Sequence, residues 1–248
     1  MLHTATDFPE HMTNWQIGWM AAAVTLSDIA SMGAKPCAML LAIGLDKTER
    51  LKDIMNGASA CCRYAGTHIA GGDLDHHEEL TIVSTGLGVV KTRNLTLRSG
   101  AVPGDLICIS GLPGRAEAAL AGFKRYENSL LEPVPRIHEA RILAETGVTS
   151  MMDLSDGLVS SLYSMCEVSD TGFRIDSQKL PVHPFDSKER SVGWILYGGG
   201  DFELVFTIPD FLKNEIILPF YIIGEVIPKK GVFLDDTPIP VKGYEHHW

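Results

Sequence analysis

The sequence has 248 residues, 45% hydrophobic and 21% charged, which is the composition of a globular protein with a sizeable core rather than of a disordered or fibrous one. Its net charge of −10, without a cluster of Lys and Arg, argues against nucleic acid as a partner. The longest apolar stretches, such as residues 37–45, fall short of the ~18 residues that a membrane span requires, so we expect no membrane partner.

The cysteines indicate the cellular compartment. There are five of them, an odd number, and they form no Cys-x-x-Cys pair: Cys37, Cys61, Cys62, Cys108 and Cys166. Such usage is typical of reduced thiols inside the cell. The first residues, Met1 to Thr4, lack the charged and apolar blocks of a secretion signal. We therefore expect a cytoplasmic protein.

The chain begins with the end of a strand at residues 3–7. Thr13 then predicts the N-cap of a helix that runs to Met32 and ends at Gly33. This helix is small and apolar over most of its length, which predicts packing on more than one side. Asp28 lies inside it. There its carboxylate either accepts hydrogen bonds from the neighbouring backbone or binds a cation, and the sequence leaves both possibilities open.

The residues from 37 to 90 predict a strand, a helix and a second strand. Continuous apolar character indicates a buried strand at residues 37–45, and helical periodicity indicates a helix at residues 47–65. Gly71-Gly72-Asp73 follows. Paired glycines let a backbone approach a ligand closely and the aspartate could reach a metal, although a simple turn explains the tripeptide equally well. Residues 76–79 are expected to form a solvated hairpin tip before a strand at residues 80–90.

Proline and glycine mark a boundary in the middle of the chain. The run Ala101-Val102-Pro103-Gly104-Asp105 predicts that two domains meet here, comprising residues 1–104 and 105–248. The elements expected directly after it are a strand at residues 106–110, a helix at 115–123, a loop at 124–135 and a helix at 136–146.

Residues 151–158 combine a short apolar strand with two carboxylates that bracket a serine. Asp153 falls at the end of the strand, and Asp156 falls near the N-terminus of the helix that follows, where the helix dipole favours negative charge. Helix capping alone would also explain Ser155 and Asp156. Carboxylates in apolar or glycine-rich segments are costly unless a cation neutralises them. Five aspartates share such a setting and indicate divalent cations: Asp7, Asp28, Asp73, Asp153 and Asp156.

Residues 158–243 predict a helix and several short strands. A helix at residues 158–168 and a strand ending at Ile175 are followed by a polar segment that extends to Arg190. Gly198-Gly199-Gly200-Asp201, which locally is typical of a flexible turn with a capping aspartate, precedes an alternating strand at residues 202–208. Three final strands are expected to form an antiparallel meander: 221–226, 232–235 and 239–243.

Several of these motifs occur in a fixed order along residues 7–244: Leu26-Ser27-Asp28 to Pro36, Gly71-Gly72-Asp73, Arg98-Ser99-Gly100, Asp153-Leu154-Ser155-Asp156-Gly157 and Gly198 to Leu204. The order resembles the aminoimidazole-ribonucleotide-synthetase-like superfamily of ATP-using enzymes and, within it, the thiamine-monophosphate kinase family. The resemblance implies a two-domain α/β (α+β) fold. It also implies a homodimer in which the amino-terminal domains share a β-structure.

The resemblance further implies the reaction, a direct transfer of the ATP γ-phosphoryl group to thiamine monophosphate that needs several Mg²⁺ ions and no protein nucleophile. No catalytic residue is therefore assigned. By position, the implied metal ligands are Thr6, Asp7, Asp28, Asp73, Asp153 and Asp156. The implied contacts to ATP are Gly72, Arg98 and Ser155. The implied contacts to the second substrate are His11, Gly200 and Val241.

Three departures from the family pattern leave alternatives open. The family carries a glycine-rich segment with paired aspartates before the strand of Asp7, and the residues that precede Asp7 here do not include one. Gly200 stands where the family has a glutamate near the substrate, and Val241 stands where it has an aromatic residue. The alternatives are another ATP-using member of the superfamily, or a nucleotide-binding paralogue that has lost catalysis.

Overall fold

The computed structural model describes residues 1–9, 11–182 and 187–243. The helices in these ranges are α1 (Asn14–Ser31), α2 (Leu51–Tyr64), α3 (Arg115–Leu120), α4 (Glu127–Leu131), α5 (Ile137–Thr146), α6 (Leu158–Ser169) and α7 (Lys188–Tyr197). The strands are β1 (Leu2–His3), β2 (Lys35–Leu45), β3 (Ile69–His76), β4 (Thr81–Val89), β5 (Leu106–Ile109), β6 (Ser150–Asp153), β7 (Gly172–Ile175), β8 (Leu204–Ile208), β9 (Tyr221–Ile227), β10 (Gly231–Leu234) and β11 (Thr237–Pro238). Within the described ranges, no helix combines the length and the apolar character needed to cross a membrane.

The first sheet has four strands in the order β1-β4-β2-β3, with α1 and α2 packed against one face. The ends of α1 follow the sequence prediction: Thr13 and Gln16 form a capping box, and Gly33 has a φ of 67°. Close contact between α1 and α2 depends on two glycines. A Cβ at Gly18 or Gly57 would lie only 1.8 Å from a backbone oxygen of the other helix.

Strand β2 is buried on one face only, so the prediction of a fully buried strand is wrong. Its residues alternate, with Leu41 and Ile43 covered by the helices and Leu40 and Ala42 exposed. The pattern misled because both faces of the strand are apolar, and none of the residues that the structure describes covers the outer face. Val83 of β4 pairs with Ala42 and shares that outer face.

Strand β3 passes through Gly71-Gly72-Asp73, so the alternative of a turn at this tripeptide is wrong. A Cβ at Gly72 would lie 1.7 Å from the carbonyl oxygen of Leu41. The glycine therefore allows the close approach of a neighbouring strand. The predicted hairpin at residues 76–79 is also wrong, because β3 and β4 lie on opposite sides of β2 and their connection crosses its end.

The second sheet has seven strands in the order β11-β10-β7-β9-β5-β8-β6. This order contradicts the predicted meander. Strand β9 lies between β7 and β5, β10 pairs in parallel with β7, and only β10 and β11 form an antiparallel pair of consecutive strands. The alternation expected along β8 is absent, because all five of its residues are buried in the middle of the sheet.

Two helices were missed by the sequence analysis. Helix α4 lies in the predicted loop at residues 124–135, and α7 lies at the end of the predicted polar segment, where Ser187 caps its first turn. Helix α4 has only five residues, too few for a periodic pattern. The strands β5 and β6 and the helices α5 and α6 form close to the predicted positions.

Each face of the second sheet carries part of the apolar core. One cluster joins this sheet to the first through residues of α1, α5, β6 and β8, among them Leu26, Leu143, Met151 and Phe206. The other cluster lies under α6 and α7 and includes Leu162, Ile195 and Val205. The shared cluster brings α1 against the end of β6, which positions the site described next.

Candidate functional site

The two motifs at residues 153–157 and 198–203 lie side by side. The N–H of Leu154 donates to the carbonyl of Glu203 at 2.7 Å, and the N–H of Gly200 donates to the carbonyl of Ser155 at 2.8 Å. A Cβ at Gly199 would lie 2.6 Å from that same Ser155 carbonyl oxygen. The glycine run is therefore required where one backbone packs against another.

A cluster of carboxylates forms where α1 meets the end of β6. Ser27 donates a hydrogen bond of 2.7 Å to Asp153 Oδ2, and the Asp153 side chain is buried. Asp28, the next residue of α1, is exposed beside it, and Asp156 follows at the start of α6. The structure thus brings together three of the predicted metal ligands.

The charges in this cluster destabilise one another. Burial raises the pKa of Asp153 to about 6, the neighbouring Asp28 adds to the rise, and Arg98 opposes it. Although the side chain of Asp28 is exposed to solvent on one side, partial burial against its neighbours raises its pKa as well; Arg98 again opposes the rise and Asp156 adds to it. Such a cluster favours a cation, because a cation would stabilise the ionised form of each carboxylate.

The guanidinium of Arg98 is exposed and available to a ligand. Among the described residues it donates no hydrogen bond to another side chain or to the backbone. Together with Asp28, Ser31 and Thr96, Arg98 lines an open cavity of about 380 Å³. An arginine in this position can bind two phosphate oxygens at once.

A second cavity, of about 460 Å³, combines polar and apolar walls. Its polar residues include Thr6, Asp7 and Ser155, which the sequence analysis assigned to metal or phosphate, and the backbone of Gly200 also lines it. The remaining walls are mostly apolar or aromatic: Leu2, Met20, Val24, Leu120, Leu130, Tyr197 and Phe202. We call this space the mixed cavity. Its walls suit a ligand that has an anionic group and a ring system.

Asp7 lies in the turn after β1 rather than in a strand, which corrects the predicted strand at residues 3–7. Its carboxylate accepts hydrogen bonds from the backbone N–H of His3 at 2.8 Å and from the Thr6 hydroxyl at 2.7 Å. These bonds fix the carboxylate at the edge of the mixed cavity.

Four other predicted site residues lie outside both the carboxylate cluster and the mixed cavity. Asp73 and Gly72 are on the exposed edge strand β3. His11 is exposed and pairs with Glu127 at 3.4 Å, and Val241 is 57% exposed; neither lines the mixed cavity. Their assigned roles stay predictions.

The carboxylate cluster fits Mg²⁺ better than it fits a metal held by protein alone. Within the described part of the chain, no three His, Cys, Asp or Glu side chains are placed to hold a metal ion by themselves. Mg²⁺ commonly takes one or two carboxylates and completes its shell with water and substrate phosphate oxygens. Asp28 and Asp153, with Asp156 nearby, match that arrangement.

The two acidic residues of the motif at residues 198–203 form hydrogen bonds within the fold. Asp201 accepts hydrogen bonds from the backbone N–H groups of Gly114, Arg115 and Ala116 at the start of α3, so the expectation of a capping aspartate is confirmed. Glu203 is completely buried and accepts hydrogen bonds from Arg115, Arg136 and Ser110.

Most residues that line the mixed cavity were not predicted from the sequence, and those with polar or aromatic side chains include Glu117, Tyr197 and Phe202. Tyr197 and Phe202 flank the Gly198–Asp201 motif, and this adjacency was a usable signal. Glu117 gave none, because it lies on a short alanine-rich helix whose place in the fold only the tertiary structure determines.

Comparison with known protein families gives two matches. The chain matches the family described as AIR synthase related protein, N-terminal domain, over residues 1–90, and the corresponding C-terminal domain over residues 110–236. Among curated relatives, it is 48% identical to a thiamine-monophosphate kinase of Methanospirillum hungatei, covering 100% of this chain and 87% of that protein. It is 35% identical to the enzyme of the same name from Halobacterium salinarum, covering 99% and 89% of the two chains.

Solved structures agree with the sequence matches. A structure described as AaThiL complexed with AMPPCP and TMP superposes with a TM-score of 0.90 at 25% identity, covering 99% of this chain and 85% of the other. Thiamine-monophosphate kinase from Stenotrophomonas maltophilia gives a TM-score of 0.88 at 26% identity, covering 96% and 84%. The two-domain α/β fold implied by the sequence is therefore confirmed.

Proposed function

We propose that this chain, which belongs to the thiamine-monophosphate kinase family, transfers the γ-phosphoryl group of ATP to thiamine monophosphate and so forms thiamine diphosphate. The structural observation that carries the proposal is the cluster of Asp28, Asp153 and Asp156 beside the exposed guanidinium of Arg98. Acidic groups beside an exposed arginine suit the binding of a phosphate chain together with its metal ions.

The residues of the cluster contribute position and charge. Both reactants are anions, and a loose phosphoryl-transfer transition state carries its charge on the non-bridging oxygens. Arg98 would hold phosphate oxygens of ATP, and the carboxylates of Asp28, Asp153 and Asp156 would hold Mg²⁺. When bound, Mg²⁺ supplies neutralisation of the phosphate charge. The acceptor is itself a phosphate, so the protein needs no nucleophile.

The mixed cavity is the proposed place for the acceptor. Thr6, Asp7 and Ser155 offer polar contacts, while Tyr197 and Phe202 offer aromatic surface for the rings of thiamine. Ser155 is next to Asp156 in the chain, and it therefore links the mixed cavity to the carboxylate cluster. A phosphate group bound in the mixed cavity and a phosphate group bound at the carboxylate cluster would therefore lie close to each other.

We also propose that the chain forms a homodimer through the outer face of its first sheet. In the described part of the chain, that face exposes the apolar side chains of Leu40, Val83, Leu87 and Val89. Exposed apolar patches of this kind are typical of interfaces.

Asp73 lies on the same outer face, because it pairs with Ala42. Asp28 lies near the end of α1, and the chain enters β2 soon afterwards at Lys35. Ala42 is seven positions farther along β2, which is roughly 23 Å at the rise of a β-strand. Within one chain Asp73 is thus remote from Asp28. The proposed metal-binding role of Asp73 requires a second subunit.

Two further proposals concern location and domains. We propose a cytoplasmic location, which is supported by the free thiols of all five cysteines. We also propose the division into residues 1–104 and 105–248. It is supported by the separation of the two sheets along the chain, since β4 ends at Val89 and β5 begins at Leu106.

The test is a direct assay of the full chain with ATP, Mg²⁺ and thiamine monophosphate. We expect Mg²⁺-dependent formation of thiamine diphosphate and ADP, measured by chromatography. Binding of ATP without turnover would instead support a paralogue that has lost catalysis. Failure to bind ATP in the presence of Mg²⁺ would overturn the proposal.

A further inference from the structure

A carboxylate in the mixed cavity is not used by the proposed function. Glu117, in the first turn of α3, lines this cavity with the apolar and aromatic residues described above. Among the described residues, its side chain makes no hydrogen bond and no ion pair. Burial raises the pKa of the Glu117 carboxyl group, since low-polarity surroundings disfavour the charged form.

The position of Glu117 is well fixed by its surroundings. Asp201 accepts three backbone N–H groups at the start of α3 and so anchors the helix. A Cβ at Gly198 would lie 2.4 Å from the Cγ of Glu117, so the glycine leaves room for this side chain. The side chain of Glu117 therefore lies directly against Gly198.

Glu117 also lies next to the space that a larger residue at position 200 would use. A Cβ at Gly200 would lie 3.5 Å from the Cβ of Ala116, the residue directly before Glu117. Helix α3 therefore borders position 200, where the family resemblance implies a glutamate. In this chain α3 carries a carboxylate near that place, Glu117.

An unpaired carboxylate beside apolar walls is unfavourable in the free protein and favourable once a cation binds there. Thiamine monophosphate contains one permanent cation, its thiazolium ring, and this ring is also flat, so it suits contact with Tyr197 and Phe202. Charge and shape therefore favour the same ligand group.

We propose that Glu117 is a specificity-determining residue that binds the thiazolium cation of thiamine monophosphate. This inference rests on the proposed function of the mixed cavity. Glu117 on α3 would provide a negative charge that Gly200 cannot provide. The enzyme would then be selective for phosphorylated compounds that carry a positively charged ring.

The test compares the isosteric variant Glu117→Gln with wild type. We expect its KM for thiamine monophosphate to rise about tenfold or more, as is typical of the loss of a partly desolvated charge pair, while its KM for ATP stays unchanged. The matched control is Glu145→Gln, which removes the same charge from an exposed position of α5 outside the mixed cavity. The control is expected to leave both KM values unchanged.

A second ligand separates a charge effect from a general loss of binding. The probe is an analogue of thiamine monophosphate in which a neutral thiophene ring replaces the thiazolium. Wild type should bind thiamine monophosphate more tightly than the analogue, and Glu117→Gln should lose most of that preference. An undiminished preference in the variant, or an equal weakening of both ligands, would overturn the assignment.

These outcomes also separate the inference from the proposed function. If wild type neither binds nor phosphorylates thiamine monophosphate, the proposed function fails. If wild type turns over its substrate and Glu117→Gln does so with unchanged KM and unchanged preference for the cation, the role of Glu117 fails alone.

Discussion

Asp153 and Asp201 are two buried aspartates with opposite roles. Burial raises the pKa of each to about 6. Asp201 accepts three backbone N–H groups, whereas Asp153 accepts one side-chain hydrogen bond, from Ser27. The charge of Asp201 is therefore used by the fold itself. The charge of Asp153 is left for a ligand.

Substitution by asparagine should distinguish the two residues. Without Mg²⁺, Asp153→Asn is expected to raise the free energy of unfolding at pH 7.5 by on the order of 1 to 3 kcal/mol, because it removes a buried charge and keeps an acceptor for Ser27. Asp201→Asn, the matched control, should lower it by about 1 to 3 kcal/mol, because one amide oxygen cannot replace two carboxylate oxygens. Urea unfolding of both variants measures this. A destabilised Asp153→Asn would contradict the account.

The pH dependence of stability follows from the same pKa. The carboxyl group of Asp153 has a pKa of about 6 in the folded state and about 3.8 when unfolded, so the folded protein binds the proton more tightly. As the pH falls through 6, this group therefore adds stability to wild type. The advantage of Asp153→Asn over wild type should shrink by about 1 kcal/mol between pH 7.5 and 5.5. Urea titrations at the two pH values measure it, and a constant advantage would show that Asp153 does not titrate in this range.

Asp28 is the exposed member of the carboxylate cluster, so its substitution should affect binding more than folding. Asp28→Asn removes one negative charge at nearly constant volume. We expect at least a tenfold loss of Mg²⁺-dependent ATP affinity, equivalent to about 1.4 kcal/mol, with no fall in the melting temperature, because the substitution also relieves repulsion with Asp153 and Asp156. Asp53→Asn, at an exposed position of α2, is the control. Calorimetric titration would show the difference, and full ATP affinity in Asp28→Asn would exclude Asp28 as a ligand.

At the scale of elements, the glycine run at residues 198–200 lets two motifs share one site. Gly199 is packed against the Ser155 carbonyl, and a side chain there would push Ser155 away from the mixed cavity. Gly193 provides a contrast inside α7, because a Cβ at this position meets nothing within 4 Å.

These two glycines predict opposite effects of alanine. Gly199→Ala should lower kcat/KM by at least about tenfold and reduce stability, because the clash with the Ser155 backbone must be relieved by moving the site. Gly193→Ala should raise stability by up to about 1 kcal/mol and leave activity unchanged, since alanine favours the helix. Steady-state kinetics and thermal unfolding check both variants. Normal activity in Gly199→Ala would mean that the two motifs need not touch.

At the scale of the whole molecule, the outer face of the first sheet is the interface that we propose for a homodimer. Val83→Glu places a charge in the middle of the apolar patch and is expected to give a monomer. The monomer should also lose activity if Asp73 acts in the site of a second subunit. Ile217→Glu, at an apolar residue that is 82% exposed elsewhere, is the control. Sedimentation velocity at several concentrations measures the effect, and an unchanged dimer in Val83→Glu would place the interface elsewhere.

The sequence determined the local elements whose signals are local. Thr13 and Gly33 bounded α1 correctly, and the helix predicted at residues 136–146 matches α5. The motif around Asp153 was placed correctly at the junction of β6 and α6. These features depend on hydrogen bonds and backbone angles within a few residues, and such signals are visible in a single sequence.

Only the tertiary structure decided how the elements pair and what their faces meet. Strand order in both sheets, the burial of β2 on one side, and the meeting of Asp28 with Asp153 all depend on contacts between distant residues. The same holds for Glu117, which reached the mixed cavity through the anchoring of α3 by Asp201. Pairing of distant segments is set by the packing of a whole core, and no local pattern encodes it.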